Sequence, residues 1–228
     1  MKQVATKNIL VIVVSNVVIK LEIVSDVSCP WCAIGYHALS QAIASLPSSM
    51  RVELSWLPFE INPHMSKEGQ GIEEYLRQKY GMDREQQLQN IMHIEQRGLA
   101  VGFEFKPLVE RHVYNSFDCH RLLHLAQSLG LQTPLKSALF DAYFKRGDDI
   151  SDRKILSQIA LDVGLDSEQI KYALENEQLR LQLSRLMEDI KQAGINSVPA
   201  LIINQKYLVN GARTPQEYTE IITQALND

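Results

Sequence analysis

The sequence predicts an α/β fold in which a β-α-β segment and a β-β-α segment lie at the two ends of the chain, with a long helical segment between them. Three patterns predict it: a helical period between two β-rich runs near the start, an almost continuous helical pattern from about residue 71 to residue 194, and a hairpin followed by a helix at the end. At 228 residues, 45% of them hydrophobic, the chain can bury a sizeable core as one large or two small domains.

Residues 1–19 are interpreted as an N-terminal extension that the chemistry does not need. Lys2 and Lys7 precede an apolar run at residues 9–14, which is typical of a signal peptide. However, Ser15 and Asn16 end the run, no small-residue cleavage motif follows, and a membrane span needs about 20 residues. We therefore expect an extra strand or tail on a cytoplasmic protein without a membrane partner, with export as the alternative.

The first α/β segment spans residues 20–65. Residues 20–25 are β-rich, residues 30–46 have helical periodicity, and residues 51–57 alternate as a strand does. These elements predict a parallel strand pair joined by a helix.

The second segment spans residues 195–228, and we expect it to complete the same domain. Residues 201–203 and 207–209 are predicted to form a hairpin, and Thr214-Pro215 is typical of a helix start, with Thr as N-cap and Pro in the first turn.

The intervening residues 66–194 are predicted to form an inserted, all-helical domain. Asp166-x-x-Gln169 resembles a capping box, and Ser151-x-x-Lys154 also resembles a helix start. Turn-forming residues predict breaks at five places: near Gly81 and within residues 103–107, 130–134, 147–151 and 164–167.

Charge and cysteine content exclude several classes of protein. The chain has 23 basic and 27 acidic residues and a net charge of -4, without the basic cluster that nucleic acid requires. Three cysteines are too few for a disulfide-stapled scaffold, but Cys29 and Cys32 form a C-x-x-C motif, which indicates redox chemistry or half of a zinc site.

The position of this motif favours redox chemistry. A strand precedes Cys29 and Pro30 suits a first helical turn, so the free N–H groups of a helix N-terminus should lower the pKa of the Cys29 thiol. Cys32, one turn later, is close enough to close a small disulfide with Cys29. A zinc site completed by Cys119 and His120 and a pair of purely structural cysteines are the alternatives; we expect no metal.

Three blocks, in order, carry a resemblance to a known family. They are Cys29-Pro30-Trp31-Cys32, Asn115-Ser116-Phe117-Asp118 followed by His120-Arg121-Leu122-Leu123, and Ser197-Val198-Pro199-Ala200. Together they resemble the DsbA-like thioredoxin family, most closely its FrnE branch, over about residues 20–226. The resemblance implies a thioredoxin fold with a large inserted all-helical domain.

The resemblance also implies roles for the motif residues. Cys29 would be the nucleophile and Cys32 the resolving cysteine, with Pro30 and Trp31 tuning the redox potential. Trp31 could instead pack on the helical domain. In this family a cis bond between Val198 and Pro199 exposes the Val198 backbone to an extended substrate; an ordinary trans bond is the alternative.

Four further residues have two interpretations each. Asp26 either accepts a proton near the cysteines or caps a helix. His120 and Arg121 either reach the active-site cleft or form paired surface groups. Cys119, where the branch more often has a small residue, either approaches the site or is a buried small hydrophobe.

The implied function is a thiol-disulfide oxidoreductase that reduces or isomerises disulfides. Its partners would be disulfide-containing proteins or glutathione, with no cofactor beyond glutathione as a redox partner. Related 2-hydroxychromene-2-carboxylate isomerases and kappa-class glutathione transferases use serine in place of Cys29, so a glutathione-dependent isomerase or transferase is the first alternative. A chaperone-like binder is the second. The sequence predicts neither the redox potential nor the oligomeric state.

Overall fold

The computed structural model describes residues 17–66 and 68–227. Its elements follow in chain order: β1 (Val17–Ser25), α1 (Pro30–Ser45), β2 (Met50–Pro58), β3 (Gln70–Gly71), α2 (Ile72–Tyr80), α3 (Arg84–Ala100), a 3-10 turn (Leu108–Glu110), β4 (His112–Val113), α4 (Phe117–Ser128), α5 (Gln132–Phe140), a π-helical turn (Asp141–Arg146), α6 (Arg153–Val163), α7 (Ser167–Glu175), α8 (Glu177–Gln192), β5 (Ala200–Ile203), β6 (Tyr207–Asn210) and α9 (Pro215–Asn227).

The main sheet joins strands from both ends of the chain. Its order is β2-β1-β5-β6, with β1 and β2 parallel and the other two pairs antiparallel. Since α1 connects the parallel pair and α9 follows the hairpin, the predicted α/β fold with a helical segment between its halves is confirmed.

The central strand β1 begins earlier than the sequence pattern predicts. Val17 pairs with Met50, so residues 17–19 belong to the sheet and not to the extension. Ile19 is fully buried and Leu21 pairs with Leu54 on one side and Ile203 on the other. Pairing with β2 therefore determines where β1 begins. The rest of the predicted extension, residues 1–16, lies outside the described residues.

The helix α1 packs tightly against the loop before β5. A Cβ atom built on Gly35 would lie 3.3 Å from Pro199 Cγ and 3.4 Å from the Tyr218 hydroxyl oxygen. The absence of a side chain at Gly35 lets the helix that begins at the C-x-x-C motif approach the proline loop.

Side chains of α5 cover the free edge of β2. The Gln132 amide accepts a hydrogen bond from Trp56 N at 2.9 Å and donates one to Trp56 O at 3.0 Å, and Trp56 Nε1 donates to Thr133 Oγ1 at 3.0 Å. These bonds satisfy backbone groups that an edge strand would otherwise leave unpaired, and they fix the helical segment to the sheet.

The helical segment differs from its predicted pattern in three places. The short strands β3 and β4 pair within it, and Asn176 ends α7 and caps α8 by accepting a bond from Leu179 N. The helix α6 starts from Asp152, whose side chain accepts from Lys154 N, and not from Ser151. The capping box at Asp166 and the helix start at Thr214-Pro215 are confirmed. No helix within residues 17–66 and 68–227 is long and apolar enough to cross a membrane.

Candidate redox site

Cys29 is the residue from which α1 starts. Its backbone is extended, its carbonyl oxygen accepts a hydrogen bond from Cys32 N at 3.1 Å, and its N–H donates to Asp26 O at 3.3 Å. Pro30 occupies the first turn, where a missing N–H costs nothing. The chain therefore places Cys29 at a helix N-terminus, as its sequence predicts.

The two thiols of the motif face different surroundings. Cys29 lines a large cavity and has 4% of its surface exposed, whereas Cys32 has none. No disulfide bond joins them in the structure. A group arriving through the cavity would meet Cys29 first, with Cys32 behind it.

The two thiols titrate as a pair. Burial acts to raise the pKa of Cys32, but a hydrogen bond from Cys29, the Lys136 ammonium and the Ser25 hydroxyl lower it overall. The pKa of Cys29 is raised by the hydrogen bond with Cys32, by burial and by the negative charge of Cys32. The pair therefore loses its first proton more readily than its second, because two adjacent thiolates would repel each other, and the lowered pKa expected at Cys29 stays a prediction.

Asp26 lies beneath the motif and is completely buried. Its carboxylate accepts hydrogen bonds from Ser28 N at 2.9 Å and from Ile61 N at 2.8 Å. Burial acts to raise its pKa, but His120 and these backbone N–H groups lower the pKa to about 2. Asp26 therefore joins the loops that follow β1 and β2 as an ionised group, and it is not the N-cap of α1, a position that Cys29 occupies.

The helical segment contributes two buried basic residues near this acid. His120 Nε2 lies 3.9 Å from Asp26 Oδ1, at the outer limit of an ion pair; burial lowers the pKa of His120, although Asp26 acts to raise it. Lys136 is 1% exposed, and its Nζ lies 5.1 Å from the centre of the Trp56 ring. Burial lowers the pKa of Lys136, while Cys32 and Asp26 act to raise it. His120 thus lies beneath the cysteines and does not line the cavity beside Cys29.

Arg121 lies away from the site. Its Nε donates to Ala173 O at 2.6 Å, its Nη2 donates to Asn176 O at 3.0 Å, and its Nη1 lies 3.5 Å from Asp118 Oδ1. These contacts link α4 to the end of α7. The sequence-based placement of Arg121 in the cleft is therefore wrong, because its position on α4 directs it toward the other helices.

The loop before β5 lies opposite Cys29. The Cys29 Sγ lies 3.8 Å from the carbonyl oxygen of Val198, and the bond between Val198 and Pro199 is cis. The Pro199 carbonyl oxygen accepts a hydrogen bond from Gly211 N at 2.8 Å, which anchors the loop to the segment after β6. The Val198 backbone is thus beside the nucleophile that the sequence predicts.

A cavity of about 650 Å³ extends from Cys29 between the sheet domain and the helices α2 and α3. Pro30, Trp31 and Val198 line it together with Cys29. The Trp31 ring packs edge-on against His93 of α3, with ring centres 5.5 Å apart. Trp31 therefore packs on the helical segment and lines the cavity as well.

Glu60 is a cavity residue that the sequence pattern did not single out. Burial and the charge of Asp26 raise the pKa of Glu60 to about 7, although a hydrogen bond from Asn115 acts in the opposite direction. One signal was present in the sequence. Glu60 is the second residue after β2, which is parallel to β1, so the residues that follow the two strands lie at the same edge of the sheet. The sequence contained a weaker indication that Lys136 is buried, because Lys136 lies among the apolar residues Leu135, Leu139 and Phe140.

Cys119 is a buried thiol outside the motif. It is fully buried and its Sγ lies 3.4 Å from the carbonyl oxygen of Ile150, and burial raises its pKa. Of its two interpretations, the buried small hydrophobe fits this position. In residues 17–66 and 68–227, no group of three or more His, Cys, Asp or Glu side chains is arranged to hold a metal ion.

Known proteins are similar to this chain in sequence or in architecture. Uncharacterized protein YwbO of Bacillus subtilis (strain 168) is 27% identical over 195 residues, which cover 85% of this chain and 91% of YwbO. A probable DsbA oxidoreductase from Streptomyces coelicolor superposes with a TM-score of 0.84 at 29% identity, over 92% of this chain and 91% of that one. The cytosolic disulfide reductase DsbM from Pseudomonas aeruginosa, solved with GSH, superposes with a TM-score of 0.63 at 17% identity, over 92% and 100% of the two chains.

The family assignment rests on a match that spans nearly the whole described chain. The model of the DSBA-like thioredoxin domain matches residues 20–223, which include the C-x-x-C motif, the helical segment and the proline loop. This chain belongs to the DSBA-like thioredoxin family.

Proposed function

We propose that this protein is a thiol-disulfide oxidoreductase that reduces or isomerises disulfides through Cys29 and Cys32. The observation that carries the proposal is the arrangement of the two thiols: Cys29 faces a cavity from a helix N-terminus, while Cys32 lies buried behind it. A thiolate on Cys29 would attack a substrate disulfide, and Cys32 would then displace the bound sulfur and close the intramolecular disulfide.

The residues around the pair support both the formation of a thiolate and the binding of a substrate. The Lys136 charge and the hydrogen bond between the two sulfurs lower the pKa at which the pair loses its first proton, so they favour a thiolate in the pair. Val198 and Pro199 would bind an extended substrate backbone beside Cys29, and Pro30 and Trp31 would tune the potential. Disulfide-containing proteins and glutathione are the proposed partners, and the GSH in the DsbM structure supports glutathione as the redox partner.

We place this activity in the cytoplasm. The cytosolic assignment of DsbM supports this location, and so does the small number of cysteines in the sequence.

The decisive experiment is equilibration of the protein with reduced and oxidised glutathione, followed by alkylation and mass analysis. We expect a reversible disulfide between Cys29 and Cys32. A potential below about -250 mV would identify a reductase, and one near or above about -200 mV would identify an isomerase or an oxidant. A pair that never closes would contradict the proposal.

Single-cysteine variants assign the two roles. Cys32→Ser should accumulate a mixed disulfide between Cys29 and glutathione, because the resolving thiol is missing. Cys29→Ser should not form it, and Cys119→Ala should behave as the unsubstituted protein does. Mixed disulfides at Cys32 in place of Cys29 would reverse the assignment.

The cavity favours a second candidate, a glutathione-dependent isomerase or transferase acting on an aromatic small molecule. A volume of about 650 Å³ is within the range of small-molecule sites. The Cys29→Ser variant separates the candidates, because isomerase turnover would survive the substitution and disulfide exchange would not.

A further inference from the structure

We propose that Glu60 is the general acid of the exchange reaction and protonates the sulfur that leaves into the cavity when a disulfide reacts with Cys29. The inference rests on the proposed redox function and adds a catalytic residue to the same site. Glu60 lies in the loop after β2 and lines the same cavity as Cys29.

One buried carboxylate holds the loops that carry Cys29 and Glu60. Asp26 Oδ1 accepts a hydrogen bond from Ser28 N at 2.9 Å, and Asp26 Oδ2 accepts one from Ile61 N at 2.8 Å. Ser28 directly precedes Cys29, and Ile61 directly follows Glu60. Because the two oxygens of a single carboxylate bind the neighbours of both residues, Cys29 and Glu60 lie close together at one end of the cavity.

The Glu60 carboxyl group has one oxygen that is fixed and one that is free. Oε1 accepts a hydrogen bond from Asn115 Nδ2 at 3.3 Å, and Asn115 is itself held because its Oδ1 accepts one from Phe117 N at 2.9 Å. Among the described residues, no other group donates to this carboxyl, and Oε2 is not one of the buried atoms that lack a partner. Oε2 is therefore not sealed within the protein. Glu60 keeps 9% of its surface exposed, and we infer that it presents Oε2 to the cavity.

The charges around Glu60 suit an acid that works near neutral pH. Burial and the negative charge of Asp26 raise the pKa of Glu60 to about 7. The Asn115 amide and the Lys191 ammonium act to lower it. Among the described residues, Glu60 has the only carboxyl group that lines the cavity, and the other charged groups there are Lys79, Arg111 and Lys191. An acid with a pKa near the working pH can donate a proton to a leaving group and regain one from water.

A departing alkyl thiolate needs such a proton. The pKa of an alkyl thiol such as cysteine is about 8.5, so the sulfur leaves as a basic anion unless an acid protonates it. A sulfur with a lower pKa leaves faster by itself. Glu60 should therefore matter for alkyl disulfides and not for disulfides with good leaving groups.

The reaction balances without any further reactant. The Cys29 thiolate bonds to one sulfur of the substrate, the substrate S–S bond breaks, and its electron pair stays on the second sulfur, which takes the proton of Glu60. Cys32 then bonds to Cys29 and releases the first sulfur. The substrate gains two electrons and the cysteine pair becomes a disulfide. The two protons lost by the cysteines equal the two gained by the product thiols, so Glu60 regains its proton from solvent.

Two uncharged disulfides separate an effect on the leaving sulfur from an effect on Cys29. Dithiodipyridine releases a weakly basic sulfur that needs no proton, whereas hydroxyethyl disulfide releases a basic alkyl thiolate. The reaction of the reduced protein with each probe is followed in a single turnover by acid quenching and mass analysis. Because neither probe is charged, the cations of the cavity should affect both alike.

Glu60→Gln should slow the reaction with hydroxyethyl disulfide about a hundredfold more than the reaction with dithiodipyridine, because an amide has no proton to give. Glu60→Asp should recover part of this difference, since it keeps an acid on a shorter side chain. Glu188→Gln, at an exposed position of α8 outside the cavity lining, is the matched control and should react with both probes as the unsubstituted protein does. Equal slowing of both probes in Glu60→Gln would indicate a structural effect on Cys29 and overturn the inference.

The pH dependence of the unsubstituted protein provides a test that needs no variant. Dividing the rate constant for hydroxyethyl disulfide by that for dithiodipyridine removes the thiolate fraction of Cys29, which both reactions share. The ratio should be constant in mild acid and fall about tenfold per pH unit above about pH 7, where Glu60 loses its proton. In Glu60→Gln the ratio should not change with pH.

Reaction of the unsubstituted protein with both probes at a ratio that is the same in mild acid and mild base would overturn the role of Glu60 and leave the redox function intact. Failure to react with either probe would instead contradict the redox function itself.

Discussion

The Asp26 carboxylate Oδ1 lies 3.9 Å from Nε2 of His120, and both side chains are excluded from solvent. This contact joins the loop that carries the cysteines to α4 of the helical segment. The cysteine pair is therefore surrounded by residues from both parts of the chain. The predictions below concern four residues in these surroundings: Asp26, Glu60, Lys136 and Cys119.

Asp26→Asn should lower the free energy of unfolding at neutral pH by about 2 kcal/mol, because an amide cannot accept from both Ser28 N and Ile61 N. The folded pKa of Asp26, about 2, is below its ordinary 3.8. Its stabilisation is thus present above the unfolded pKa and is lost as pH falls through the folded one.

Urea unfolding of the unsubstituted protein and of Asp26→Asn, from neutral pH to about pH 2, tests this pH dependence. The difference between them should shrink toward the acid end, whereas Asp162→Asn, at an exposed position of α6, should produce little difference at any pH. A constant difference across the whole range would mean that Asp26 is not ionised in the folded protein.

Glu60→Gln should have the opposite pH dependence. The folded pKa of Glu60, about 7, is above its ordinary 4.5, so its contribution to stability is complete below the unfolded pKa and is lost as pH rises through the folded one. The variant should match the unsubstituted protein in mild acid and exceed its free energy of unfolding by about 1 to 2 kcal/mol in mild base. Thermal or urea unfolding at the two pH values measures this, with exposed Glu188→Gln as the control. A variant that is less stable in base would show that Glu60 is favourably paired when charged.

Lys136→Met should raise the pKa of the dithiol by removing the cation that stabilises its thiolate. Alkylation of the pair at neutral pH should slow about tenfold, and the pH at which the thiolate absorbs should rise. The free energy of unfolding should not fall, because replacing a buried charge by an apolar side chain of similar length is often neutral or stabilising. Exposed Lys171→Met is the matched control. Unchanged thiol reactivity in Lys136→Met would show that the Lys136 charge does not stabilise the thiolate.

Cys119→Ala should leave disulfide exchange unchanged, because its Sγ contacts the Ile150 carbonyl oxygen and the thiol is fully buried. The loss in unfolding free energy should be about 1 kcal/mol. In the native reduced protein, a thiol reagent should modify Cys29 and reach Cys119 only after denaturant is added. Rapid modification of Cys119 in the folded state would show that the thiol is accessible.

The amino-acid sequence by itself determined the order of the elements at the two ends of the chain and the position of the cysteine pair at the start of α1. Proline after Cys29, the β-rich run before it and the two-residue spacing to Cys32 are local features, and local features set where α1 begins. The strands at both ends were likewise visible because period-two patterns and turn residues act over a few positions.

Only the tertiary structure decided which distant groups meet at the cysteines. Lys136 and His120 lie about one hundred residues from the motif, and their directions depend on how α4 and α5 pack against β2 through bonds such as those between Gln132 and Trp56. The same packing turns Arg121 toward Ala173 and away from the cleft, although it is the next residue after His120. A helix rotates about 100° per residue, so neighbouring side chains face different surroundings, and only packing determines which of them reaches the site.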